Sequence, residues 1–469
     1  MIRKTLFCGV VAVLLCAGCT MAPEYSRPEA PVPEQWPQGP AYDRGTAPGE
    51  TQAAADLPWR RFFTDPRLQA VIAAALENNR DLRLAALNVE RARAYYRIQR
   101  ADLLPKVNAS GSGYQEHLPA DLASKGQSMT VEQYGVNLGL NVWEIDFFGR
   151  IRSLEQAALE EYLATEEAAR AARILLIAET ANGWLTLAAD REKLQLAQST
   201  LETQQAAYQL IRRRYDVGLA QELDLRRAQT QVDAARVDLA RLTQVVAQDQ
   251  NALALLVGAP VAPRLWADQI SQVERPVDLA VETSSEVLLR RPDVLAAERR
   301  LKAANANIGA ARAALFPRIS LTTGFGTASA ELSDLFAAGQ DTWNFAPRIV
   351  MPIFDPRTWA ALDITKVERE IILTQYEKAI QTAFREVADA LARQDTVGRQ
   401  LEAQRSLVEA SSEAHRLSEA RYTKGINSYL SVLEAQRSLY AARQGLITVR
   451  LADLAARVNL YAALGGGAS

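Results

Sequence analysis

Asp102-Leu103-Leu104-Pro105-Lys106-Val107 returns later in the chain as Ala314-Leu315-Phe316-Pro317-Arg318-Ile319. The correspondence widens in both directions. Asp81-Leu82 stands as far before the first copy as Asp293-Val294 before the second. Arg214-Tyr215 with Gly218 matches Arg421-Tyr422 with Gly425, Ala228-Gln229 matches Ala435-Gln436, and Leu256-Val257-Gly258 matches Ala463-Leu464-Gly465. An internal repeat on this scale governs the fold. Each half reads as helix, two strands, two long helices: residues 59–260 and 286–465, joined by a connector over 261–285.

The helical parts are long. No proline interrupts Phe148 to Tyr215, and Leu187, Leu194, Leu201, Tyr208 and Tyr215 recur every seventh residue. Leu225, Val232, Leu239, Val246 and Leu253 repeat the spacing, as do Leu433, Tyr440, Ile447, Leu454 and Tyr461. A sustained heptad predicts coiled-coil packing. About 65 residues at 1.5 Å each give a rod of roughly 100 Å, long enough to cross a periplasm.

The strand segments are amphipathic. Val107 to Tyr114, Tyr134 to Trp143, Ile319 to Phe325 and Phe345 to Ile353 alternate apolar with polar or small residues. That pattern suits a wall with one lipid face and one wet face; taken alone it also suits a soluble sandwich. Tyr114, Tyr134, Trp143, Phe325 and Trp343 fall near strand ends, where an aromatic girdle is expected. Four strands cannot close a membrane barrel, which needs about eight, and an open edge in lipid leaves backbone groups unsatisfied. The chain must therefore associate. Two copies give a filled eight-stranded barrel; three give twelve strands with room for a lumen, which a conduit favours.

The 469-residue chain has a formal net charge of −2, and removing Arg3 and Lys4 with residues 1–18 takes it to −4. No basic face for nucleic acid is expected. Cysteine occurs only at positions 8, 16 and 19. Arg3-Lys4, an apolar stretch from Leu6 to Leu15 and Ala17-Gly18-Cys19 read as a signal peptide over 1–18, similar to a bacterial lipobox, with Cys16 where leucine is usual. The motif implies an acyl (palmitate-type) lipid on Cys19; an ordinary signal peptide with a chance cysteine is the other reading. Thr20 is compatible with the outer membrane. Eight prolines between residues 20 and 58 then predict an extended tether over 19–58 that spaces the body from the anchor.

At three stretches the sequence resembles the TolC/OprM-like outer-membrane factors, exit ducts of tripartite efflux pumps. These are Trp143-Glu144-Ile145-Asp146-Phe147-Phe148-Gly149-Arg150, Arg291-Pro292-Asp293-Val294-Leu295-Ala296-Ala297-Glu298-Arg299-Arg300, and Arg421-Tyr422-Thr423-Lys424-Gly425 followed by Tyr429-Leu430 and Ala435-Gln436-Arg437. The resemblance runs from about Leu57 to Gly465, and the lipobox fits the lipidated branch. It implies an α+β membrane protein: a homotrimer with one twelve-stranded transmembrane β-barrel, four strands per protomer, continued by a long periplasmic α-helical barrel. It implies a periplasmic adaptor and an inner-membrane resistance–nodulation–division (RND) transporter as partners, and passive export of drugs or other toxic small molecules across the outer membrane. A protein-secretion (type I) duct, a metal-ion efflux duct and a soluble envelope scaffold are the alternatives.

The resemblance also assigns residues. Gly218 and Gly425 mark hairpin turns at the periplasmic tip, where the adaptor docks. Asp224 and Glu434 match acidic lumen positions, giving six carboxylates in a trimer, a ring that favours cations. Each acid taken alone also fits a plain solvated face. Tyr422 matches a residue that holds the tip closed. Asn427 stands where some members carry a basic latch residue.

No enzyme constellation, metal site or cofactor other than the lipid is expected. His117, expected in a strand-connecting loop, and His415, on a heptad helix, have no second ligand at metal spacing. Glu160-Glu161 and Glu166-Glu167 read as solvated helix faces, and Gly465-Gly466-Gly467 begins a flexible tail ending at 469.

Overall fold

The computed structural model describes residues 20–42, 57–124, 126–279 and 284–467. The signal segment, Cys19 and residues 43–56 of the tether lie outside the described residues, as do 280–283 of the connector and 468–469. After α1 (Trp59–Phe62) and α2 (Pro66–Asn78), the first half supplies α3 (Arg80–Ala101), β1 (Val107–Leu118), β2 (Met129–Ile145), α4 (Arg150–Asp216) and α5 (Glu222–Val257). The second half repeats the order with α6 (Pro292–Ala313), β3 (Arg318–Ser329), β4 (Asp341–Val350), α7 (Pro356–Thr423) and α8 (Tyr429–Ala463). Short 3-10 turns at Pro263–Leu265 and Ile270–Gln272 lie in the connector, and a third, Ser285–Arg290, leads from it into the second half. No helix among the described residues is long and apolar enough to cross a membrane.

Two compact units emerge. The first comprises residues up to Glu29, Asn88–Thr165 and Ala296–Tyr376. Its centre is an antiparallel sheet in the order β1-β2-β3-β4. Leu138 faces Phe325 and Phe325 faces Trp343, while Ile145, Ile319 and Ile349 align across three strands. These residues share the apolar face; Asn137, Gly139, Ser320, Gly324 and Asn344 share the polar one.

One device keeps the faces pure. Between Leu140 and Trp143, β2 carries one residue more than β3, and Val142 adopts φ 50° there. The bulge absorbs Asn141-Val142, so Trp143 returns to the face of Leu140 rather than crossing to the polar side.

The sequence boundaries shift in places. Strand β1 continues to Leu118, so His117 lies in a strand, with its Nδ1 3.2 Å from Thr130 Oγ1. The β1–β2 register gives the reason: Glu116 and His117 lie opposite Val131 and Thr130, and the ladder outlasts the apolar pattern. Strand β4 begins at Asp341 and ends at Val350, leaving Met351–Ile353 outside it. Tyr114 opposes Gln133 and so lies on the polar face, whereas Trp143 and Trp343 lie on the apolar one at different levels, opposite Leu321 and Phe325.

The proline-rich segment is extended, but it does not stand off. Residues 20–27 are strapped along α6. Arg312 donates to Met21 O at 3.4 Å, Asn305 to Pro23 O at 2.7 Å, and Tyr25 and Arg27 both donate to Glu298. Those three α6 residues are seven apart, one helix face. Gly309 lets the strap lie flat, because a Cβ there would sit 2.6 Å from Ala22 N. Glu160 also departs from expectation. It is buried and receives Arg299 at 3.1 Å and Gln156 at 3.0 Å, since a carboxylate facing α6 must be paired.

The second unit comprises Ala30–Leu87, Glu166–Leu295 and Glu377 onward. Residues 33–40 are held here too: Trp36 stacks on Phe384 at 5.2 Å, and Arg399 donates to Pro40 O at 2.7 Å. Trp184, almost fully buried, donates to Leu265 O at 2.8 Å. Phe62 stacks on Tyr461 at 4.1 Å, and the Tyr461 hydroxyl donates to Leu57 O at 2.5 Å. Aromatic rings of this size anchor a core while their polar atoms find partners.

Candidate functional site

The helical hairpins α4–α5 and α7–α8 turn through the same motif. Gly218 N donates to Tyr215 O at 2.9 Å and Leu219 N to Arg214 O at 2.7 Å. In the other hairpin Gly425 N donates to Tyr422 O and Ile426 N to Arg421 O, both at 2.9 Å. Each is a Schellman cap with glycine at φ 80° or 73°, where any side chain would strain the backbone. The repeat seen in the sequence is thus a repeat of cap chemistry.

Beneath the caps Ile211, Ala228, Tyr429, Val432 and Leu433 form a buried cluster, with Tyr208, Leu225 and Tyr422 packed against it. Tyr422 bridges the hairpins. Its hydroxyl accepts from Arg214 Nη1 at 3.0 Å, and its ring lies 5.4 Å from Tyr429. Burial, then the neighbouring Tyr422 and Asp224, push the Tyr429 hydroxyl up to about 12, so it stays neutral. Asp224 is half-buried on the first turn of α5, with Arg227 Nη1 4.0 Å away. Glu434 is exposed on α8. Asn427 Oδ1 accepts from Arg421 Nε at 3.1 Å, so its amide is clasped by a neighbouring cation.

The structure therefore gathers Tyr422, Gly218 and Gly425 around one cluster with Asp224 at its edge. Glu434 sits on solvent-facing surface of the protomer. Sequence reading missed Arg214 as the partner of Tyr422; its recurrence as Arg421 in the other half was the available signal. It also missed the link farther along the hairpins. Tyr440 donates to Asp238, Gln444 donates to the same carboxylate at 3.2 Å, and Arg437 donates to Gln231 at 3.0 Å. Burial opposes ionisation of Asp238, but its hydrogen bonds win and hold it below its ordinary value. Among the described residues no group of His, Cys, Asp or Glu could hold a metal ion.

The family description "Outer membrane efflux protein" matches residues 71–259 and 283–466. The toluene efflux pump outer membrane protein TtgC of Pseudomonas putida is 48% identical over 99% of this chain and 96% of its own length. Among solved structures, a membrane protein from Pseudomonas aeruginosa is 42% identical with a TM-score of 0.88, covering 95% of this chain and 100% of its own. The open state of the Neisseria gonorrhoeae MtrE outer membrane channel is 38% identical with a TM-score of 0.87, covering 96% and 99%. The four-stranded sheet is accordingly one protomer's share of a trimeric outer-membrane β-barrel, which this fold combines with an α-helical barrel. The chain belongs to the outer membrane efflux protein family and is an outer-membrane channel component of an efflux pump with a large periplasmic part.

Proposed function

We propose that this chain is the passive exit duct of a tripartite pump, working with a periplasmic adaptor and an inner-membrane RND transporter, anchored by a lipid on Cys19. The observation that carries the reading is the pair of matched caps at Gly218 and Gly425 bridged by Arg214–Tyr422, a contact between hairpins that must break if they are to part. An adaptor that binds the parted hairpins better than the joined ones opens the tip by that difference in affinity. Three copies bring Asp224 and Glu434 into an acidic ring that favours cations. TtgC and its toluene pump make apolar organic solvents the first cargo class to try, beside antibiotics.

The test is a growth panel on a deletion strain and its complemented control, with solvents, dyes, several antibiotic classes, bile salts and metal salts. Broad hypersensitivity rescued by the intact gene supports a multidrug duct. Sensitivity to metal salts alone reassigns it to metal export. No change leaves a redundant duct or protein secretion, which a comparison of the secreted proteins of the two strains separates. In bilayers, Asp224→Asn with Glu434→Gln should lower the cation-to-anion permeability ratio; an unchanged ratio sinks the ring.

A further inference from the structure

At the helix-proximal end of the sheet, a row of three residues crosses the polar face. Glu144 on β2 opposes Ser320 on β3, which opposes Arg348 on β4. Their neighbours Ile145, Ile319 and Ile349 take the apolar face, so the row looks into the aqueous side of the wall.

Glu144 is fully engaged. Arg150 grips it through two nitrogens at 2.9 and 2.8 Å, and Arg318 Nε reaches it at 3.2 Å. The other acids nearby are also taken: Asp146 by Arg152 at 3.3 Å and Asp355 by Arg357 at 3.0 Å. Ser320 is too short to reach across. Arg348 is left exposed with no anionic partner among the described residues. One carboxylate shared by two guanidiniums, with a third guanidinium free, leaves the spot net positive.

The row borders a cavity of about 490 Å³, whose wall includes Arg348, Arg318 and Glu144 together with Phe148 and Phe316. Those two rings stack at 4.9 Å and give the cavity an apolar side. A planar guanidinium facing water beside stacked rings matches a ligand with a carboxylate or sulfonate head and a flat hydrocarbon body.

We infer that this cavity is a binding station for amphipathic organic anions in the duct wall, with Arg348 as its head-group ligand. It rests on the chain acting as a duct and names one cargo class that such a duct would hold in transit. Three copies place three such cations around one bore, the arrangement anion pores use.

The test is fluorescence anisotropy of pyrene-1-sulfonate titrated with the full-length trimer in nanodiscs, where the barrel is reached from its outer mouth. Arg348→Gln should weaken binding about tenfold, roughly 1.4 kcal/mol. Arg348→Lys should recover part of it, and neutral pyrenemethanol should bind wild type and variant equally weakly. Trimer heat-lability of each variant reports folding. Equal affinity of wild type and Arg348→Gln for the sulfonate overturns the site, as does tight binding of pyrenemethanol. Growth of the Arg348→Gln strain on neutral antibiotics separates the two readings. Intact resistance with lost sulfonate binding supports the station. Intact resistance with unchanged binding removes the station and leaves the duct standing.

Discussion

Asn79 and Arg291 hold the same post in the two halves of the chain. Asn79 Nδ2 donates to Leu256 O at 2.8 Å, and Arg291 Nη1 donates to Ala463 O at 2.8 Å. Each sits just ahead of a helix, α3 or α6, and closes its half by capturing a carbonyl in the last turn of the final helix, α5 or α8. The two sites differ in load. Arg291 also binds Asp293 and Glu386, both at 2.7 Å, whereas Asn79 only caps its own helix through Leu82 N at 2.8 Å. Arg291→Ala should therefore cost about 3 kcal/mol, and Asn79→Ala about 1 to 2 kcal/mol. Denaturant melts of both variants read the order directly; equal losses would refute the added load of the ion pairs.

The hairpin glycines should be costly to replace for a backbone reason alone. A Cβ at Gly218 or Gly425 meets nothing within 4 Å, yet both residues hold positive φ. Alanine at either should weaken its cap by about 1 kcal/mol. Hydrogen exchange should show faster opening of the last turns of α4 or α7, with protection of β2 and β3 unchanged.

On the proposed gating, loss of the Tyr422 hydroxyl should loosen the contact between the two hairpins. Tyr422→Phe keeps the ring packing and removes the bond from Arg214, a change of about 1 kcal/mol, or fivefold in the open population. Single-channel recordings should show more frequent opening without a change in open conductance.

The strap on α6 should detach at low pH. Burial opposes ionisation of Glu298, but hydrogen bonds from Arg27 and Lys302 outweigh it and hold the carboxyl below its ordinary value. A lowered pKa gives stability that is present above the unfolded value, about 4.3, and is lost as pH falls through the folded one. Protease cleavage within residues 20–29 should accelerate in acid. Arg27→Ala, or Gly309→Leu, should produce the same acceleration at neutral pH while the trimer remains intact.

Asp249 should respond in the opposite sense. Burial first, then the neighbouring Asp190, push its carboxyl up to about 6. The proton it takes up is shared with the Asp190 carboxylate in a hydrogen bond. The folded chain therefore holds a proton that the unfolded chain gives up near pH 4. That stabilisation is complete below the unfolded value and is lost as pH rises to about 6. Asp249→Asn should remove this decline and melt higher than wild type near pH 8. Parallel melting curves for the two proteins would refute it.

Much of this architecture was legible because it is periodic. Heptads marked α4, α5 and α8, alternation marked the strands, and the Leu-Pro repeat fixed their order. The hairpin glycines were legible because positive φ selects glycine. What escaped depends on partners distant in sequence. Proline content told that residues 20–42 are extended, but the grip on α6 needs Glu298, Asn305 and Arg312 on one face and a bare Gly309 beneath Ala22. Glu160 looked like any surface acid until Arg299 was brought to it. Arg348 reads as one arginine among many; the strand register puts it in a row with Glu144, and the ion pairs show that this carboxylate is already held by Arg150 and Arg318.

The extra residue in β2 gives this wall a reading frame. Deleting Asn141 or Val142 would leave Trp143 two residues after Leu140, still opposite Leu321 and on the apolar face, and would only straighten the strand. A single residue gained or lost in a regular stretch of β2 would instead turn every side chain beyond it to the other face. Among the described residues, the bulge is the one place where this wall can change length by one residue without exchanging its two sides.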